Sequence, residues 1–217
     1  MYLSDRDLRW ALDHKQLLVH PRPDDKHIGP TSIDLHLDKI EEAKVWNIEE
    51  YCKDSSVMGH GDSPELPIGQ FQYEKFAKKF LIRPGEDKNK EVFCRGKQII
   101  IKPHGFVLWQ TKERVGTPEE GAQLICFVDG KSTRARTGIL VHMTAPTIHA
   151  AWGAWPITLE IGNFGPFHLV LQEDDVIAQI TVAGISSIPA RSARQAGSVT
   201  SGQTDVAGAK SVQAPAK

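Results

Sequence analysis

Short apolar runs separated by Gly, Pro and Asp dominate the chain from residue 92 onward. Residues 99–101, 105–109, 124–128, 138–142, 157–161 and 176–180 each carry the composition of a β-strand. In the run 157–161, Ile157, Leu159 and Ile161 share one face while Thr158 and Glu160 share the other. Further upstream Ile33, Leu35 and Leu37 alternate with polar residues, which predicts a half-buried strand. The N-terminus reads as a helix. Ser4 is its N-cap, Asp5 and Asp7 sit in the first turn, and Leu8, Ala11 and Leu12 have helical spacing. Many short strands without β/α alternation predict an all-β sandwich or jelly-roll and exclude a parallel Rossmann or barrel sheet.

Two stretches break this pattern. Residues 47–90 are punctuated by glycines and prolines and predict short strands and loops, with the charge cluster at 86–91 on a solvated face. Residues 184–217 are rich in Ala, Ser, Gly, Gln and Lys and hold no aromatic residue. Such a segment cannot bury enough apolar area to order itself alone. The expected organisation is therefore one domain over 1–183 and a flexible arm over 184–217, the arm acting as an active-site lid.

Composition narrows the function classes. The 217 residues carry 26 Lys+Arg against 27 Asp+Glu, a formal charge of −1. Nothing in that balance attracts nucleic acid or an anionic membrane. No run of about 18 apolar residues offers a membrane span, and Met1–Asp7 lacks the cationic and apolar parts of a secretion signal. The expected compartment is the cytoplasm. The three cysteines, Cys52, Cys94 and Cys126, are odd in number and never form C-x-x-C, which argues against a disulfide scaffold and a zinc site.

The balanced total hides a local excess. Lys131, Arg134 and Arg136 share one turn with Ser132, Thr133 and the leading Gly130. Hydroxyls, backbone N–H groups and a guanidinium converging on a bend suit a phosphate chain, although a solvated basic turn has the same composition. The run is not a P-loop, because Ile125 stands where that motif needs its first Gly. Glu160 is either a solvent-facing carboxylate or, beside a closed pocket, a base of raised pKa. His142 and His149 lie too far apart, and without the companions, to form a recognisable metal motif. Trp152 and Trp155 fit a core or a subunit interface better than a base-stacking platform.

Taken in order, several motifs resemble one family. They are Leu3-Ser4-Asp5, Gly29-Pro30-Thr31-Ser32-Ile33-Asp34-Leu35, Gly105-Phe106-Val107-Leu108, the run from Gly130 to Gly138, Val141-His142-Met143-Thr144-Ala145, Thr158-Leu159-Glu160-Ile161-Gly162-Asn163 and Ile177-Ala178-Gln179, with a trace at Gly202-Gln203. Over residues 1–183 the chain resembles the dCTP deaminases of the dUTPase-like superfamily. The resemblance implies a distorted β jelly-roll with a short N-terminal helix, assembled as a homotrimer with active sites between subunits. It implies zinc-free hydrolytic deamination of dCTP to dUTP and ammonia, with Mg²⁺ carried by the triphosphate, no metal held by the protein itself, and dTTP as a candidate inhibitor.

By the same analogy Glu160 is the general base, and Ser132, Arg136 and the backbone at Ala145 hold the water and the base. Lys131, Ser132 and Thr133, within the run through Arg134, Ala135 and Arg136, bind the phosphates. Thr158 and Leu159 line the pocket, and Gln179 and Gln203 contact the nucleotide. There are departures. His149 stands where the family has a sugar-binding Asp, which argues against dUTP hydrolysis; Lys131 replaces an Arg, and Arg134 an apolar residue. Thr200 and Ser201 replace an aromatic residue near Gly202-Gln203. These departures leave open a non-catalytic nucleotide-binding regulator and a deaminase of a related cytidine nucleotide.

Overall fold

The computed structural model describes residues 1–53, 59–60, 63–70, 72–192 and 203–209. Its helices are α1 (Asp5–Asp13), α2 (Ile48–Cys52), α3 (Tyr73–Phe80) and the single turn α4 (Ser132–Ala135). The strands run β1 (Leu18–His20), β2 (Ser32–His36), β3 (Val45–Trp46), β4 (Gly59–His60), β5 (Ser63–Pro64), β6 (Leu81–Ile82), β7 (Val92–Arg95), β8 (Gln98–Ile101) and β9 (Phe106–Thr117). They continue with β10 (Leu124–Gly130), β11 (Ile139–Leu140), β12 (Thr147–Ile148), β13 (Gly153–Asn163), β14 (Leu169–Gln172), β15 (Val176–Gly184), β16 (Gln203–Asp205) and β17 (Gly208–Ala209). The expected boundary after residue 183 falls at the last residue of β15.

The protein is mostly β. Two four-stranded antiparallel sheets, ordered β1-β9-β13-β11 and β12-β10-β15-β2, contribute to one apolar core. The first sheet supplies Trp109, Leu159 and Ile161, the second Ile33, Leu35, Ile177 and Ile180, all fully buried. A third sheet, β14-β8-β7, adds Ile99 and Ile101. Strand alternation explains the sorting: on β13 the apolar Leu159 and Ile161 go inside, and Thr158 and Glu160 stay half-buried on the other face. Helix α1 closes one end with Leu8 and Ala11, and at its start the Ser4 hydroxyl and N–H both donate to the Asp7 carboxylate, at 2.8 and 3.4 Å.

The long β9–β13 pairing positions the site. Its register shifts between Pro156 and Thr158, where Pro156 has no N–H to offer. The buried Thr111 hydroxyl accepts from Ile157 N–H at 2.9 Å and so satisfies the backbone at the irregularity. Beyond it, Thr158 and Glu160 pair with Gln110 and Leu108.

Residues 47–90 differ from expectation, because α2 and α3 stand among the short strands. Helix α2 is capped by Asn47, whose Oδ1 accepts from Glu50 N–H at 3.1 Å. Helix α3 turns Phe76, Ala77 and Phe80 to one side, where the Phe76 and Phe80 rings meet at a tilt with centroids 4.8 Å apart and both meet Tyr51 edge-on. The spacing of Tyr73, Phe76, Ala77 and Phe80 is a helical face that the surrounding Gly and Pro residues obscure. Of the expected arm, residues 203–209 form a short hairpin, and 193–202 and 210–217 lie outside the described residues. Among the described residues no helix is long and apolar enough to cross a membrane.

Candidate active site

Glu160 and Thr158 project from β13 into a cavity of about 530 Å³. Phe106 and Leu108 of β9, Val128 of β10, Ile148 and Trp152 form apolar walls; Ala145, Thr147, His149 and Ile157 complete the lining nearby. Trp46 of β3 and Tyr73 of α3 contribute a further aromatic wall from the 45–82 segment. The Glu160 carboxylate is half-buried, and its Oε2 accepts from the Met143 N–H at 3.2 Å. That contact orients a carboxylate that looks into a largely apolar hollow, an arrangement suited to accepting a proton from a bound water.

Tyr73 faces Glu160 across the cavity. Burial, then the carboxylates of Glu160 and Asp205, push its phenol up to about 12, so it stays protonated through the physiological range. Trp46 meets the Tyr73 ring edge-on, with centroids 6.4 Å apart.

The basic run forms a second group. Gly130 ends β10, α4 follows, and Gly138 at φ +89° turns the chain into β11. Lys131 Nζ donates to Asp34 Oδ1 at 2.5 Å and to Gln179 Oε1 at 3.3 Å. Sheet register brings these together, because Gln179 sits opposite Asp34 on β2 and opposite Asp129 on β10. Ser132, Thr133, Ala135 and Arg136 are exposed and Arg134 half-buried; none of residues 131–136 lines the cavity around Glu160.

Of the expected site residues, the structure thus gathers Ala145, His149, Thr158 and Glu160 in one place, and Lys131 and Gln179 in another. Leu159 lies in the core with no exposure, and its side chain does not reach the cavity. Gln203 belongs to β16, which runs beside β13, but its side chain lies outside the described residues. Among the described residues no three His, Cys, Asp or Glu side chains gather as a metal-holding group. Trp46, Tyr73 and Asp34 were not singled out from sequence. The helical spacing of α3 could have pointed to Tyr73. Asp34 is 97 residues from Lys131, and only the folded sheet pairs them.

The sequence model of dCTP deaminase-like proteins matches residues 2–185 of this chain. The chain belongs to the dCTP deaminase-like family. A relative from Dictyoglomus thermophilum described as "dCTP deaminase, dUMP-forming" is 31% identical over 193 residues, which cover 86% of this chain and 82% of that protein. A dCTP deaminase of Natronomonas pharaonis is 29% identical over 206 residues, covering 94% and 91%. Among solved structures, the 2'-deoxycytidine 5'-triphosphate deaminase of Agrobacterium tumefaciens superposes with a TM-score of 0.52 at 18% identity. It covers 83% of this chain, which spans 47% of that longer one. At that identity the match shows a shared fold.

Proposed function

We propose that this member of the family is a dCTP deaminase that converts the magnesium complex of dCTP and water into dUTP and ammonia in the cytoplasm. The observation that carries the reading is Glu160, a fixed carboxylate on β13 in an apolar cavity large enough for a nucleoside. Glu160 takes a proton from water as its oxygen bonds to C4 of cytosine. The C4–N3 π pair moves to N3, which takes up that proton from Glu160; the remaining water proton passes to the 4-amino group, which leaves as ammonia as the C4 carbonyl of uracil forms. Water is a poor nucleophile near neutrality, so base assistance of this kind contributes roughly 10²–10⁴ in rate. The Ala145 backbone and Thr158 hold the base, and His149 offers an imidazole to the sugar.

The separation of the two groups supports a homotrimer whose subunits share their sites. Within one chain none of Lys131, Ser132, Thr133 and Arg136 lines the Glu160 cavity. A second copy would bring its own Ser132 and Arg136 to that cavity. Light scattering should then give about three times the 24.1 kDa chain mass.

The test is turnover of dCTP, CTP, dCMP and dUTP with Mg²⁺, following ammonia and pyrophosphate. Ammonia from dCTP without pyrophosphate supports the reading. Pyrophosphate release would give the dUMP-forming outcome named for the Dictyoglomus relative. Saturable nucleotide binding without turnover would leave a regulator of the same fold, the outcome that His149 in place of a carboxylate would favour. Glu160→Gln should abolish turnover and largely keep dCTP binding; turnover at the wild-type rate would sink the assignment of Glu160.

A further inference from the structure

The phenol of Tyr73 ties together three parts of the chain that are far apart in sequence. It is the first residue of α3, its ring lines the Glu160 cavity, and its hydroxyl donates to the Val206 carbonyl at 2.5 Å. Val206 sits at the tip of the β16–β17 hairpin and is 1% exposed. The tip is a tight turn, closed by the Asp205 carboxylate accepting from the Ala207 N–H at 2.8 Å. Strand β16 lies beside β13, which carries Glu160, and β17 lies beside α3.

We propose that Tyr73 is a positioning residue that clasps the 203–209 hairpin to the start of α3, beside the strand that carries Glu160. A two-stranded hairpin of this length has little stability of its own. Its placement therefore depends on its neighbours, and at the tip these include the buried Val206 side chain and the Tyr73 hydrogen bond. The Trp46 ring restrains the Tyr73 ring from its other side. A phenol that keeps its proton remains a donor to the carbonyl even with two carboxylates nearby. If the seated hairpin hinders exit from the neighbouring cavity, release of a ligand slows by at most the factor with which the clasp favours the seated state.

The test is amide hydrogen exchange on the full chain, read by mass spectrometry in the peptide spanning 203–209. Tyr73→Phe keeps the ring and removes the donor. It should speed exchange there roughly three- to tenfold, the factor one such hydrogen bond supplies, with exchange in β9 and β13 unchanged. Val206→Ala should act in the same direction, and the two changes together should be non-additive. The nucleotide arm rests on the function proposed above: Tyr73→Phe should raise the KM for dCTP by a similar factor, more than it lowers kcat. Equal exchange over 203–209 in both proteins overturns the clasp. So does a raised KM with unchanged exchange, because Tyr73 would then act on the ligand directly. Faster exchange in a protein that turns over no nucleotide supports the clasp and defeats the deaminase reading.

Discussion

Replacing Asn163 with alanine should cost about 3 kcal/mol of stability, more than an average buried polar substitution. Asn163 ends β13, three residues after Glu160, and is 1% exposed. Its amide nitrogen donates to the carbonyls of Ile101 and Phe167, at 2.8 and 2.7 Å, and its oxygen accepts from Gly165 N–H at 3.0 Å. One side chain thus joins the end of β8, the end of β13 and the loop that follows. Truncation orphans two carbonyls and one N–H, each worth about 1–3 kcal/mol if it stays dry. Phe167 lies at the surface, so water recovers part of that loss, which brings the sum to about 3 kcal/mol. Asn163→Asp is the sharper probe. A carboxylate still accepts from Gly165 but faces two carbonyls with no proton to offer, so burial raises its folded pKa above the unfolded value. The protonated form restores one donor, so the defect should be smaller at about pH 4 and grow as pH rises through the folded pKa. Urea unfolding followed by tryptophan fluorescence, at one fixed protein concentration, reads both effects. A loss below about 1 kcal/mol for the alanine variant, or a pH-independent defect for the aspartate, would refute the reasoning.

Gly138→Ala should lower the melting temperature by several degrees, because an added Cβ at φ +89° would stand 2.3 Å from the Gly165 nitrogen. On the function proposed above it should also raise the KM for dCTP, since Gly138 fixes the end of the turn that begins at Lys131; a melting temperature within a degree of wild type would count against the first expectation, and an unchanged KM against the second. At high pH, Tyr73 and Cys126 are the groups to watch, each pushed up to about 12 chiefly by burial. Above about pH 9 at Cys126 and about pH 10 at Tyr73 the unfolded chain binds fewer protons than the native one, so they should reduce stability progressively as pH rises toward 12. Ultraviolet titration of the native protein against Tyr73→Phe should show that the Tyr73 phenol ionises only near that limit.

How much of this was legible beforehand depends on whether the signal is local. The alternation in Ile157-Thr158-Leu159-Glu160-Ile161 is a property of five consecutive residues, and it placed both Leu159 and Glu160 on their observed faces. The capping of α1 by Ser4 and Asp7 is equally local. The same alternation spoke against Leu159 as a pocket side chain, which the family resemblance had included. What stayed hidden is what the fold assembles from a distance. Trp46 and Tyr73 reach the cavity only because α3 packs its aromatic residues over the body of the protein, in a stretch whose glycines and prolines mask an eight-residue helix. Lys131 shows the same limit in its charge. Counted along the sequence it is one of three free cations in a basic turn, but in the fold it is held by Asp34 at 2.5 Å with both partners partly shielded from water. Partial burial strengthens that attraction beyond what an exposed pair would have. On the function proposed above, a phosphate arriving at Lys131 would therefore compete with Asp34, and the exposed Arg136 would be electrostatically the readier first contact. A divalent cation carried by the phosphates would turn Asp34 from a competitor into a partner, so phosphate-chain affinity should depend on Mg²⁺ more strongly in the wild type than in Asp34→Asn.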